Sequence, residues 1–228
     1  MKIQSLLELI QVNKDHRKSQ NQFKDDLHNE RRMNRVSDAS DKKTGFYGRV
    51  YDKEQPHTLT KANYVSEDPK NDPYLIYINY IADNNIASEN PFVPRVYEIR
   101  TLEDVRGRVK YKIELERLKR LEELPEEVIV AMTNNLFDPE QIQMYKDRFS
   151  TPLMTLAKCI EMVCKQRLES KDNLLNTAGA IVNKIKKSNN RFDYDVHKGN
   201  IMVRLSPAPQ VVIVDPLSQE STTGYNGG

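Results

Sequence analysis

Residues 191–218 read RFDYDVHKGNIMVRLSPAPQVVIVDPLS, and the order of groups in this stretch decides the fold. Asp195, His197 and Asn200 fall in one short loop that ends a helical region and opens a strand. Loops carrying such groups are disproportionately functional. Two β-prone runs follow, NIMVRL and QVVIVDP, joined by SPAP. The second run is apolar from Val211 to Val214 and delivers Asp215 at its end. A hairpin between the two runs would return Asp215 toward Asn200. An amide and a carboxylate converging from two chain segments suit a hard divalent cation, which prefers oxygen ligands and commonly shares them with substrate phosphates.

Upstream of this stretch the pattern is helical. EEVIVAMTNN, DPEQIQMYKDRF and the segment from Pro152 to Lys187 carry apolar residues at helical intervals, with Pro125, Pro139 and Pro152 as punctuation. Before Leu121 the texture is that of strands. TGFYGRVYD and EQPHTLTKANY predict an antiparallel meander, and VPRVYEIR and RVKYKIELERL predict two more strands. Between these pairs, Asp72-Pro73 followed by Tyr74, Leu75, Ile78 and Ile81 predicts a helix running to about Asn84. The class is α+β, with a cleft expected near Leu118–Leu121.

The ends differ from this body. Ile3, Leu6, Leu7 and Ile10 predict a short amphipathic helix over residues 1–12, whereas Lys14 to Lys43 is rich in charge and amides. A solvated helix, a mobile arm and a partner-docking segment all fit that stretch. The last ten residues, QESTTGYNGG, read as a disordered tail. The divisions that result are 1–43, 44–118, 119–218 and 219–228.

Composition narrows the function classes. Hydrophobic residues make up 38% and charged residues 30% of the 228, which is polar but foldable. A formal charge of +2 is too balanced for a nucleic-acid stripe or a polybasic membrane anchor. No apolar run approaches the roughly 20 residues that span a bilayer, and the N-terminus lacks a secretory pattern, so a cytoplasmic protein is expected. Cys159 and Cys164, five apart in a helical segment, read as reduced thiols.

Asp195 stands five residues before Asn200, the separation between base and metal ligand in the kinase catalytic loop. DVHKGN followed by IMVR and VVIVDP resembles the catalytic and metal-binding loops of the protein-kinase-like superfamily, with the histidine that aminoglycoside phosphotransferases place after the catalytic acid. RFDYDVHKGNIM and VVIVDPLS are more similar still to the early serine/threonine protein kinases of lytic bacteriophages. Gly45-Phe46-Tyr47-Gly48-Arg49-Val50 resembles the end of the glycine-rich loop, and Lys61 in TLTKANY falls where the phosphate-contacting lysine belongs.

The resemblance implies a bilobal kinase-like fold, with a small antiparallel β-sheet lobe holding one helix and a reduced, mainly helical second lobe. It implies ATP and Mg²⁺ as cofactors. Gly45, Gly48 and Val50 would cover the nucleotide, Lys61 would clamp its phosphates, and backbone groups from Glu116 to Leu118 would meet adenine. Asn200 and Asp215 would hold Mg²⁺, and Asp195 would accept the proton of the acceptor hydroxyl. The acceptor would be a host protein or the chain itself, in the host cytoplasm if the chain is phage-encoded. Neither a specific nucleic acid nor a membrane is implied as partner, and oligomeric state is not fixed. A small-molecule acceptor and a catalytically weak module that binds a host protein are the alternatives.

The chain departs from the pattern at three places. Its helix from Tyr74 to Asn84 has no glutamate to pair with the lysine, leaving Asp72 or Asp83 as substitutes. Asp215 is followed by Pro216-Leu217 rather than Phe-Gly, which removes the swivel used for regulation. The residues that follow Asp215 hold no activation segment, so either the sequence is a piece of a longer chain or the lobe is unusually small; the effect falls on acceptor recognition more than on phosphoryl transfer. Plainer readings also stand: Asp215 as a turn residue before proline, His197 as a loop organiser, and Gly45 and Gly48 as hairpin glycines. Asp195-x-His197 also opens a metallophosphatase signature, but His16, His28 and His57 all lie upstream in unrelated contexts.

Overall fold

Helix starts in this chain are written by its acids and prolines. Asp72 caps helix α1 (Pro73–Asp83) by accepting the Leu75 N–H at 2.8 Å, with Pro73 in the first turn where its missing N–H costs nothing. A capping residue followed by proline also starts α3 (Pro139–Lys146), after Asp138 in a capping box with Gln141, and α4 (Pro152–Cys164), after Thr151, whose hydroxyl accepts the Met154 N–H. A computed structural model of the chain describes residues 44–45, 48–52, 58–65, 71–103 and 109–219, with side-chain detail over 71–101 and 111–219. The helix expected over 1–12, the charged stretch to Lys43 and the tail after Gln219 lie outside these residues.

The chain divides into two units, Met1–Phe46 and Tyr47–Gly228. In the first, the described residues are the two-residue strand β1 (Thr44–Gly45). In the second, β2 (Gly48–Asp52), β3 (Thr58–Val65), β4 (Val96–Glu103) and β5 (Val109–Glu116) lie in the order β2-β3-β5-β4, every neighbour antiparallel. The meander and the two later strands expected from sequence are therefore present, with α1 inserted between them. Lys61 occupies the middle of β3, in register with Val50 of β2 and Ile113 of β5.

After β5 the chain forms β6 (Lys119–Arg120) and the helices α2 (Glu126–Leu136), α3, α4 and α5 (Asn173–Ser188). The sequence predicts unbroken helix from Pro152 to Lys187, but the chain turns between α4 and α5. Lys165 caps α4, Gln166 takes φ 55°, and its N–H and that of Arg167 return to the Val163 and Met162 carbonyls. Asp172 then caps α5 through the Leu174 N–H at 2.8 Å. The helices meet closely at Gly179, where an added Cβ would stand 2.8 Å from Val163 Cγ1.

The last strands are short. β8 (Ile201–Arg204) and β9 (Gln210–Ile213) form the expected hairpin, and β6 joins its β8 edge antiparallel. β7 (Phe192–Tyr194) pairs antiparallel with β10 (Leu217–Gln219). Gln219, expected to open a disordered tail, ends a strand instead, with its side-chain amide donating to Asn71 O at 3.0 Å. The architecture is α+β. Its buried apolar side chains, among them Tyr77, Phe92, Tyr111, Leu156, Phe192 and Ile213, form one cluster.

That core also holds both cysteines, which are free and buried on α4. Burial pushes the Cys159 thiol up to about 12. The Cys164 thiol is likewise pushed up to about 12, by burial first and then by Glu161, against the opposing pull of Lys165. Reduced thiols are the state expected from sequence. Among the described residues, no helix is long and apolar enough to cross a membrane.

Candidate functional site

The β8–β9 hairpin and the β7–β10 pair leave their sheets at one place, where Asp195, Asn200 and Asp215 meet. Val214 N–H donates to Asn200 O at 3.0 Å, and Asp195 N–H donates to Pro216 O at 2.8 Å. These two bonds bracket Asp215 between the residues that precede and follow it. The three residues singled out by spacing are thus gathered by backbone geometry alone.

Asn200 joins the loop to itself. Its Nδ2 donates to Asp195 O at 2.7 Å and to Asp195 Oδ2 at 3.1 Å. His197 settles a neighbouring ambiguity. Gly199 N–H donates to His197 Nδ1 at 3.0 Å, so the neutral ring carries its proton on Nε2. That nitrogen lies 3.2 Å from Asn200 Nδ2, a contact that cannot be a hydrogen bond in this tautomer, and 3.6 Å from Asp195 Oδ1. Two bonds to Asp195 outweigh the one that a flipped amide would make to the imidazole. The Asn200 side chain therefore presents Nδ2 to Asp195 and keeps Oδ1 free of protein partners among the described residues.

This arrangement fits a hard cation. Asn200 Oδ1 and the Asp215 carboxylate are oxygen donors carried on adjoining backbone, the donor type that Mg²⁺ prefers. Among the described residues, no group of three or more His, Cys, Asp or Glu is placed to hold a metal ion. A cation here would take its remaining ligands from water and phosphate, as Mg²⁺ commonly does.

The other residues expected at the site are distributed as follows. Gly45 ends β1, Gly48 opens β2, and Val50 and Lys61 lie in register across β2 and β3; these are described as backbone. Glu116 is already engaged. Its N–H donates to Arg95 O at 3.1 Å, and its carboxylate accepts the Arg95 N–H at 2.8 Å and pairs with Arg204. Leu118 is half-buried in the link between β5 and β6. Within the Asp195–Asn200 loop, Lys198 pairs with Glu122 at 2.7 Å on the surface.

Two residues that sequence reasoning passed over support this ground. Arg204 Nε donates to Glu116 Oε2 at 2.8 Å, Nη2 pairs with Oε1, and Nη1 reaches Pro91 O at 2.6 Å. Tyr77 of α1 donates its hydroxyl to Ile213 O at 2.8 Å. The signals were an acid ending one strand with an arginine ending another, and a tyrosine inside an otherwise apolar helix face. Burial first, then the Asp215 charge, raises the Tyr74 phenol well above its ordinary range; burial, Cys164 and Asp215 do the same for Tyr77. No known protein family's model matches the chain, and no curated protein matches it significantly.

Proposed function

We propose that the chain is an ATP-dependent phosphotransferase of bilobal, protein-kinase-like architecture, with loops that resemble those of the serine/threonine kinases of lytic phages. The observation that carries this reading is the bonding of Asn200 to both the carbonyl and the carboxylate of Asp195, with Asp215 bracketed alongside. In this reading β2–β5 and α1 form the nucleotide lobe, residues 119–218 form the second lobe, Lys61 would clamp the phosphates and Gly48 would cover them. Asn200 and Asp215 would hold Mg²⁺, which neutralises charge on the outer phosphates when bound. Asp195 accepts the acceptor hydroxyl's proton as that oxygen bonds to the γ-phosphorus and the bond to ADP breaks. The Asn200 amide keeps that carboxylate in place. Positioning and electrostatics supply most of the rate.

The test is transfer of label from γ-labelled ATP with Mg²⁺, with and without a bacterial extract. The parent should label protein, and Asp195→Ala and Asp215→Ala should each lose about 10²- to 10⁴-fold. Label on a small molecule instead would move the acceptor to the antibiotic-kinase type. Variants as active as the parent, or a parent that neither transfers label nor responds to nucleotide in melting, would overturn the reading.

A further inference from the structure

The segment Ile213–Pro216, which carries Asp215, is fastened to four parts of the fold. Ile213 N–H donates to Phe92 O at 2.8 Å, and Ile213 O accepts from the Tyr77 hydroxyl at 2.8 Å. Val214 N–H donates to Asn200 O, and Pro216 O accepts from Asp195 N–H. Strand geometry explains the first two bonds. Ile201 and Ile213 face each other in the β8–β9 hairpin, and the Val214 to Asn200 bond marks them as a pair that does not exchange hydrogen bonds. The polar backbone groups of Ile213 therefore point outward from β9, the edge of its sheet. They need partners from elsewhere, and Phe92 and Tyr77 provide them.

Tyr77 is 0% exposed, and phenylalanine would fill nearly the same volume with no polar atom to satisfy. Its hydroxyl is thus used for the bond it makes. The carbonyl it meets lies two residues before Asp215, and the residue after Asp215 is a proline with fixed φ.

We propose that Tyr77 is a positioning residue for the Asp215 carboxylate: its hydroxyl ties α1 to the buried outer edge of β9 and holds Asp215 in one permanent place beside Asn200. This inference rests on the reading of Asn200 and Asp215 as holders of a phosphate-bound cation. Burial first, then Cys164 and Asp215, raises the Tyr77 phenol well above its ordinary range, so the hydroxyl remains a donor. A helix tied by a buried hydroxyl to the backbone two residues before Asp215 needs no glycine swivel, and Asp215 is followed by Pro216-Leu217.

The experiment uses the full chain and Mn²⁺ with ADP, with free Mn²⁺ read by electron paramagnetic resonance. Tyr77→Phe should weaken Mn²⁺ binding about tenfold, the loss usual for an outer-shell partner, and raise the Mg²⁺ requirement for turnover by the same factor. Its rate at saturating Mg²⁺ should approach the parent's. Tyr80→Phe, on the same helix but partly exposed, should match the parent. If Asp215→Asn abolishes Mn²⁺ binding while Tyr77→Phe binds like the parent, the inference falls and the phosphotransferase reading stands. If the parent binds no Mn²⁺ with ADP, both fall. Should Tyr77→Phe not fold, amide hydrogen exchange on the parent decides: Val214 and Asp195 should exchange as slowly as Val212 within β9, and rapid exchange at both overturns permanence.

Discussion

Asp195 and Asp215 stand side by side, and the chain holds them by opposite means. Beyond its two backbone bonds to the Asp215 segment and the surface pair of Lys198 with Glu122, the loop of Asp195 is tied by bonds spanning two to five residues: Gly199 to His197, Asn200 to His197 and Asn200 to Asp195. Its side chains stand in solvent, Asp195 41% and His197 56% exposed. The segment of Asp215 is tied by bonds across the whole fold, to Tyr77 on α1 and Phe92 before β4. On the phosphotransferase reading, changes in the loop should therefore register as altered turnover at nearly constant stability. Changes in the framework should cost stability first.

The largest effect expected on this contrast comes from Arg204, at the end of β8. Its ion pair with Glu116 is almost closed to water, with side chains 10% and 7% exposed. Arg204→Met would leave the Glu116 carboxylate buried without its cation and the Pro91 carbonyl without its donor. The predicted loss is about 3–5 kcal/mol by urea unfolding. Adding Glu116→Leu should restore much of it, because the penalty belongs to the stranded charge rather than to the missing pair. A single variant that loses under about 1 kcal/mol would erase the distinction between framework and loop.

The same contrast explains what could be read from sequence. The loop was legible because its constraints lie within Asp195–Asn200, six consecutive residues whose types and spacing carry their own geometry. Helix starts were legible for the same reason, since Asp72-Pro73 and Thr151-Pro152 act within one turn. β6, β7 and β10 were not. Two or three residues contain no period, and β7 exists only because Leu217 and Gln219 return to pair with Tyr194 and Phe192. The turn between α4 and α5 lacked glycine and proline, its αL position being taken by Gln166. The Glu116–Arg204 pair spans 88 residues, and no local pattern announces such a partner.

Two glycines sharpen the comparison at intermediate size. A Cβ at Gly179 would lie 2.8 Å from Val163 Cγ1 and 2.9 Å from the Val163 carbonyl oxygen, which backbone holds in place. Gly179→Ala should cost about 1–3 kcal/mol and leave metal and nucleotide affinities unchanged. A Cβ at Gly199 would meet only the His197 ring, 2.9 Å from Cε1, and that ring can swing into solvent. Gly199→Ala should change stability by less than about 0.5 kcal/mol. It breaks the fit that orients His197 beside Asp195, so turnover should fall by up to about 10²-fold. Melting and initial rates on the two variants check both halves; reversed effects would mean that the loop is framework.

The smallest effect tests what lies behind the loop. Glu161 of α4 bonds Lys158 at 2.7 Å and also Lys165, whose ammonium lies 5.6 Å from the centre of the Tyr194 ring, next to Asp195 in sequence. Burial alone would raise the Glu161 carboxyl, but the two lysines outweigh it and hold it below its ordinary 4.5. A depressed folded value means that the ionised form is favoured by folding, so its contribution is complete above 4.5 and disappears as pH falls through the folded value. Both lysines are partly exposed, and the contribution is correspondingly small. Glu161→Gln should thus be less stable than the parent by a constant margin from about pH 8 to about pH 5, and the margin should close in more acid solution. Urea midpoints measured across that range give the sign directly. A margin that widened on acidification would mean that the lysines do not hold the carboxylate, and that Tyr194 has no charged support behind it.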